Sequence, residues 1–166
     1  MYKRILVPVD GSPTSDQGLA EALRLARSTG ARLRILHVVD GIAFARAHNP
    51  LTADAAAFRA SGRKLLDEIV ARLRKQPVKA EAVLVENLSG RAADSIVKEA
   101  KKWNADVIVM GTHGRRGINR VVFGSDAEIV LHTAPVPVLL VRGGTKAARP
   151  RRRAAARKRR SASRPV

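Results

Sequence analysis

Two periodicities of apolar residues alternate along the first part of the chain. Short β-branched runs, such as those at 3–9 and 106–110, predict buried strands that end at polar turns. Apolar residues spaced by three or four, as at Leu19, Leu23 and Ala26, predict helices between the strands. Strands that alternate with helices imply a parallel sheet with right-handed crossovers, an α/β fold. The predicted strands are 3–9, 32–39, 78–85, 106–110 and 136–141, the predicted helices are 13–28, 55–75, 91–103 and 125–132, and 40–51 is a predicted loop.

The composition fits a parallel sheet that is covered on both faces. Of the 166 residues, 45% are hydrophobic but only 3% are aromatic, so the core must consist of Val, Ile, Leu and Ala. This length predicts one domain. The chain has no cysteine, which excludes disulfides, thiolate metal sites and a thiol nucleophile.

The start of the chain does not resemble a targeting segment. Its first apolar run is short and ends at Asp10, and no later run is long enough to span a membrane. We therefore expect a cytoplasmic protein.

Positive charge is concentrated at the end of the chain. The net charge is +18, and the eleven Lys and Arg residues from Arg142 onward, with no acid among them, leave +7 for residues 1–141. This composition predicts a domain at 1–142 and a disordered basic tail at 143–166. The tail lacks aromatic residues, so any binding of nucleic acid or polyphosphate through 146–164 would be nonspecific. The alternative is a solvated tail that only aids solubility.

A glycine-rich loop, GTHGRRGINRVVFGSDAE at 111–128, joins the fourth strand to the last helix. It is neither a Walker A motif nor GxGxxG, but has Gly-x-x-Gly, then nine residues, then Gly-Ser. Gly111 and Gly114 would let the backbone turn and approach a ligand closely. Gly124 and Ser125 would offer amides at a helix N-terminus, which favours an anion. The nine residues between Gly114 and Gly124 carry Arg115, Arg116 and Arg120. The alternative reading of the whole segment is a plain strand-to-helix turn.

Three polar stretches are predicted to meet at one edge of the sheet. PVDGS follows the first strand, HVVDG closes the second, and the glycine-rich loop follows the fourth. In an open parallel sheet, ligands lie beyond the carboxyl ends of the strands, where the strand order reverses. The loop therefore lies where a ligand is expected.

The spacing Gly-x-x-Gly, nine residues, Gly-Ser resembles the nucleotide-binding members of the universal stress protein family. The resemblance extends to KRILVPVDGS, LHVVD, DVIVMGTHGR and APVPVLLVR, and it covers residues 2–142. It implies an open, doubly wound, Rossmann-like sheet of five parallel strands in the order 3-2-1-4-5, with helices on both faces. It also implies a homodimer through residues 136–142 and a bound adenine nucleotide, ATP or AMP.

Transferred residue by residue, the resemblance implies two groups of site residues and no catalytic residue. Asp10 has two readings that can coexist, a cap of the turn and a contact to the ribose or to Mg²⁺ held by the nucleotide. The adenosine side would consist of Pro8, Val9, Asp10, Val38, Met110 and Gly111, and the phosphate side of His113, Gly114, Arg115, Gly124, Ser125, Asp126 and Ala127.

Asp126 departs from the family pattern, which more often has a small or apolar residue at this position. A carboxylate here would face solvent, pair with an arginine of the loop, or hold Mg²⁺. The departure bears directly on the affinity for ATP and on the choice between ATP and AMP.

The resulting hypothesis is a dimeric stress-response protein that binds adenine nucleotide as a sensor or regulator. The alternative from the enzyme class is a slow ATPase or phosphotransferase. The chain offers little for that chemistry, because it has neither a Walker lysine nor a clear residue to position water. The apolar run at 138–141 supports the dimer independently, because an uncovered edge strand invites pairing.

Overall fold

The computed structural model describes residues 1–40, 55–87, 90–112 and 124–142. The strands in these ranges are β1 (Arg4–Pro8), β2 (Arg32–Asp40), β3 (Ala80–Asn87), β4 (Val107–Gly111) and β5 (Val138–Val141). The helices are α1 (Pro13–Thr29), α2 (Ala55–Leu73), α3 (Ala92–Trp103) and α4 (Ser125–Thr133). Every predicted strand and helix is present. The predicted loop at 40–51 lies outside the described residues, except for Asp40 at the end of β2.

The five strands form one parallel sheet in the order β3-β2-β1-β4-β5. Arg4 of β1 lies opposite Arg32 of β2, and Leu33 of β2 lies opposite Ala80 of β3. The chain first adds strands on one side of β1 and then crosses to add β4 and β5 on the other. This arrangement confirms the expected doubly wound fold, with a reversal of strand order between β1 and β4.

Alternation along the strands divides the core into two layers. In β1, Ile5 and Val7 pack toward α1 and α2, whereas Leu6 packs toward α3 and α4, and all three are fully buried. The sheet therefore buries both of its faces, as expected for a parallel sheet with crossover helices. The α1–α2 layer includes Leu19, Ala22, Ala26, Leu66, Ile69 and Leu73, and the α3–α4 layer includes Ala93, Ile96, Ala100, Trp103, Ala127 and Val130.

One cluster of charges with a buried member, Glu99, lies in the α3–α4 layer. The guanidinium of Arg34 in β2 lies 2.6 Å from a carboxylate oxygen of Glu99 and 3.0 Å from one of Glu81. It also lies 4.7 Å from the centroid of the Trp103 ring. Because an unpaired charge in the core is strongly unfavourable, these contacts are what allow Glu99 to be buried and Arg34 to be partly buried.

No helix in the part of the chain that the structure describes has the length and apolar character needed to cross a membrane.

Candidate functional site

The reversal of strand order places a crevice beyond the carboxyl ends of β1 and β4. Among the described residues, these two strands pair only at Ile5 and Leu6, so their carboxyl ends are not joined in a ladder. Pro8–Asp10 leaves β1 on one side of this point, and Met110–Gly111 ends β4 on the other. The structure thus brings the predicted adenosine-side segments to the edge at which α/β sheets bind ligands.

The turn from β1 to α1 is closed by its own side chains. The Asp10 carboxylate accepts a hydrogen bond from the Ser12 amide at 3.0 Å, across Gly11, whose φ of 78° is left-handed. The Ser12 hydroxyl in turn accepts from the Ser15 amide at 3.1 Å and caps α1. The structure shows Asp10 in the capping role, which is compatible with a contact to the ribose or to Mg²⁺ held by the nucleotide.

Gly111 is a glycine because α1 packs against it. A Cβ at position 111 would lie 2.6 Å from the carbonyl oxygen of Thr14 and 3.0 Å from the amide of Ser15. The contact is reciprocal, since a Cβ at Gly18 would lie 3.0 Å from the Gly111 amide. We expected the missing side chain of Gly111 to admit a ligand, but the first turn of α1 occupies that space.

The side chains of the adenosine-side residues face different layers of the molecule. Val9 is 5% exposed and packs toward α1 and α2, and its carbonyl oxygen lies 2.7 Å from Nδ1 of the buried His37. Val38 is half-buried in the α3–α4 layer, together with the buried Met110. Val9 and Met110 can therefore present mainly backbone to the edge, whereas Val38 retains an accessible side chain.

Thr112 joins three elements beside the crevice, and the sequence analysis assigned it no role. Its amide donates to the carbonyl of Val141 in β5 at 2.9 Å, and its carbonyl accepts from the Gly124 amide at 2.8 Å. Its side chain is 2% exposed. The only sequence signal was a hydroxyl residue directly after a buried strand, which does not reveal backbone bonds to distant segments.

Among the residues that the structure describes, no side chain caps the N-terminus of α4. Its N-cap residue is Gly124, with φ −61° and ψ 145°, and no side chain accepts from the first turn at this position. The first amides of a helix have no intrahelical acceptor and carry the positive end of the macrodipole. Ser125 at this end is exposed and Ala127 is buried. The arrangement is suited to an anion such as a phosphate.

The Asp126 carboxylate is directed toward α3. Its Oδ1 accepts a hydrogen bond from the Ala93 amide, at 3.4 Å, in the first turn of that helix. A carboxylate is favourable there because it lies at the positive end of the α3 dipole. None of the three environments expected for Asp126 included this contact.

Several predicted site residues cannot be placed. His113, Gly114 and Arg115 lie outside the described residues, as do the other loop arginines and the tail at 143–166. Among the residues that are described, no group of three or more His, Cys, Asp or Glu side chains could hold a metal ion.

Comparisons with known proteins agree with this geometry. A model of the universal stress protein family matches residues 1–142. A universal stress protein of Methanocaldococcus jannaschii is 33% identical over 144 residues, which cover 86% of this chain and 83% of that protein. The structure of UspA from Lactobacillus plantarum is similar with a TM-score of 0.72, 28% identity and coverage of 85% and 98% of the two chains. The Archaeoglobus fulgidus universal stress protein in complex with dAMP has a TM-score of 0.64, 26% identity and coverage of 84% and 98%.

Proposed function

This chain belongs to the universal stress protein family, and we propose that it binds an adenine nucleotide, ATP or AMP, at the carboxyl edge of its sheet. The observation that carries the proposal is the uncapped N-terminus of α4, which begins beside the crevice between β1 and β4. A helix end of this kind binds phosphate through backbone amides. The Archaeoglobus fulgidus relative crystallised with dAMP supports an adenine nucleotide as the ligand.

The proposed site divides into a base side and a phosphate side. Val38 and the backbone of Pro8–Asp10 would contact the adenosine, together with Met110 and Gly111 at the end of β4. The amides of residues 124–127 would bind the phosphates at the start of α4. His113, Gly114 and Arg115 would complete the phosphate side, an assignment that rests on the family resemblance alone.

The nucleotide content of the purified protein tests this function directly. Mass spectrometry of the nucleotide released on denaturation would report occupancy and identity. Calorimetry of the emptied protein with ATP, ADP and AMP, each with and without Mg²⁺, would report preference. We expect binding of at least one adenine nucleotide. The absence of both released nucleotide and heat would leave the loop as a plain strand-to-helix turn.

We further propose a homodimer through residues 136–142. β5 lies at the end of the sheet, and Leu139 on it is 39% exposed despite its apolar side chain. Such an edge is stabilised by pairing with a second copy around a twofold axis. Leu139→Arg should convert the dimer to a monomer in light scattering, whereas a monomeric wild type at micromolar concentration would contradict the proposal.

In this proposal the protein acts as a sensor or regulator, and its output is a change in the surface that the dimer presents to partners. A turnover assay separates this role from slow ATP hydrolysis. We expect no release of phosphate above that of a variant that does not bind nucleotide. Mg²⁺-dependent release by the wild type alone would instead support the enzyme.

The basic tail would add a second binding function. Eleven Lys and Arg residues without any acid from Arg142 onward favour contact with the phosphate backbone of nucleic acid or with polyphosphate. Deletion of residues 145–166 should therefore weaken binding to duplex DNA and leave nucleotide binding unchanged. Equal affinities of the two chains for DNA would exclude a role of the tail.

A further inference from the structure

The positive charge of the folded domain lies at the edge opposite the nucleotide site. We define the amino edge as the five segments that lead into the strands, 1–4, 27–32, 74–80, 101–107 and 134–138. These segments contain nine Lys and Arg side chains and one acid, Asp106, a formal side-chain charge of +8. Residues 1–141 carry +7 in total, so the rest of the domain carries −1. The nine are Lys3, Arg4, Arg27, Arg32, Arg74, Lys75, Lys79, Lys101 and Lys102.

Most of these nine cations are available to a partner; Arg4 donates to the backbone carbonyl of Trp103 and Arg27 to the side chain of Gln76, and both keep their charge. All are exposed, and among the described residues none forms an ion pair with a carboxylate. Asp106 accepts hydrogen bonds from the backbone amides of Lys3 and Arg4, which lower the pKa of its carboxyl group and hold it ionised within the turn. Glu81, which directly follows the segment 74–80, is paired with Arg34. The surplus charge is therefore not neutralised within the fold.

Helix ends account for only part of this pattern. Arg27 lies in the last turn of α1, and Lys101 and Lys102 lie in the last turn of α3, where cations complement the helix dipole. Arg32 instead begins β2, Lys79 directly precedes β3 beside it, and neither has such a role. The topology brings together cations that are far apart in sequence.

We propose that the amino edge is a docking surface for duplex nucleic acid, contacted through its phosphates. Membranes and protein partners generally require exposed apolar side chains at the centre of the contact. The exposed large apolar residues of the described chain are Met1, Tyr2, Leu131 and Leu139; Met1 and Tyr2 lie in the first of the five segments of this edge, and the other four segments contain none. A surface rich in cations and poor in apolar groups fits the phosphate backbone, which is recognised by charge without regard to sequence. The surface is independent of both the nucleotide site and the tail.

The test compares two double charge reversals in the full-length chain. Arg32→Glu with Lys79→Glu changes the amino edge, and Arg63→Glu with Lys64→Glu makes the same change of charge at exposed positions of α2. Affinity for a duplex DNA of mixed sequence is measured by fluorescence anisotropy at several salt concentrations. The edge variant should bind at least about tenfold more weakly, and its slope of log affinity against log salt should be shallower by about 1.8, for two lost phosphate contacts. The α2 variant should keep the slope of the wild type.

Three outcomes would overturn the proposal. They are no binding of duplex by the wild type, equal losses in the two variants, and binding of vesicles rich in anionic lipid through the same residues without binding of duplex. Urea unfolding verifies that both variants fold, and Arg32→Gln with Lys79→Gln gives a milder change with the same expected direction. In calorimetry, the edge variant should bind adenine nucleotide with the same affinity as the wild type. A failure of the proposed docking surface is therefore distinguishable from a failure of the proposed nucleotide site.

Discussion

Two helices begin beside the crevice, and their N-termini are built differently. α1 is capped by the Ser12 hydroxyl, and the Asp10 carboxylate closes the turn before it. α4 begins at Gly124, which has no side chain to accept from its first amides. Both ends carry the same partial positive charge. The comparison teaches that one side chain decides whether the charge of a helix end is used within the fold or is available to a ligand.

The two helices also differ in what holds them in place. The first turn of α1 packs against the backbone of Gly111, so closely that no Cβ fits between them. The start of α4 is held by the hydrogen bond from the Gly124 amide to the Thr112 carbonyl, by that between Asp126 and Ala93, and by the buried Ala127, but Gly124 itself is only partly buried. Substitutions at α1 should therefore change mainly stability, and substitutions at α4 mainly binding.

The largest expected effect follows from filling the space between α1 and β4. Gly111→Ala places a Cβ 2.6 Å from the Thr14 carbonyl oxygen, and neither backbone can move without disturbing the core. We expect a loss of about 3 kcal/mol in the free energy of unfolding, measured with urea. Gly30→Ala is the control, because that position is open but has a φ of 71°, and it should cost about 1 kcal/mol. A Gly111→Ala protein as stable as the control would refute the close contact.

The next effect comes from giving α4 the kind of cap that α1 has. Gly124→Asp adds an acceptor for the first amides, and the backbone there, at φ −61° and ψ 145°, accommodates it. Nucleotide affinity should fall at least tenfold, about 1.4 kcal/mol, because the new carboxylate competes with phosphate. The free energy of unfolding should stay the same or rise by a few tenths of a kcal/mol. Gly124→Ala adds no acceptor and should bind more tightly than Gly124→Asp in calorimetry; equal affinities would argue against phosphate at this helix end.

Removing the cap of α1 should lower stability and leave nucleotide affinity nearly unchanged, the converse of adding a cap to α4. Ser12→Ala leaves the Ser15 amide without its 3.1 Å acceptor and should lower the free energy of unfolding by about 1 kcal/mol. Nucleotide affinity should change less than in Gly124→Asp. Ser12→Asp, which restores an acceptor, should recover most of the stability in the same urea titration. If Ser12→Ala instead abolished binding without loss of stability, the assignment of α1 as the closed helix end would be wrong.

The smallest expected effect concerns the charge of Asp126. Asp126→Asn keeps an oxygen that can accept from the Ala93 amide but removes a negative charge from the first turn of α4. Affinity for nucleotide should rise by a factor of two to three, about 0.5 kcal/mol, with the largest gain for ATP. Calorimetry with ATP and with AMP measures the gain in affinity for each nucleotide. A loss of affinity that appears only in the presence of Mg²⁺ would instead assign Asp126 to the metal.

The order and type of the elements could be predicted from the sequence because they follow from local periodicity. The ends of some strands differ from the predicted ones, because contacts with neighbouring strands determine where a strand ends. β3 extends to Asn87 because β2 continues to Asp40 beside it, and β5 begins only at Val138, since Pro137 has no amide to donate to a ladder. The strand order itself came from the family resemblance, since periodicity alone does not fix which strands are neighbours.

The site could be predicted only at the level of segments. Resemblance and topology brought Pro8–Asp10 and Gly124 to the same edge, but the partners of individual residues depend on distant parts of the chain. The contact of Asp126 with Ala93 and that of Gly111 with Thr14 both join segments remote in sequence. No local pattern records such pairs. Thr112 could not be predicted either, because its contacts to β5 and α4 are made by its backbone amide and carbonyl and not by its side chain.

The peptide groups of Thr112 have a thermodynamic consequence. One donates to β5, the strand at the edge of the sheet, and the next accepts from Gly124, the first residue of the uncapped helix end. Thr112 therefore links α4 and β5 through one hydrogen bond on each side. If a ligand at the helix end changes the affinity of two copies for each other at the sheet edge by some factor, association of the copies changes the affinity for the ligand by the same factor, because linkage is reciprocal.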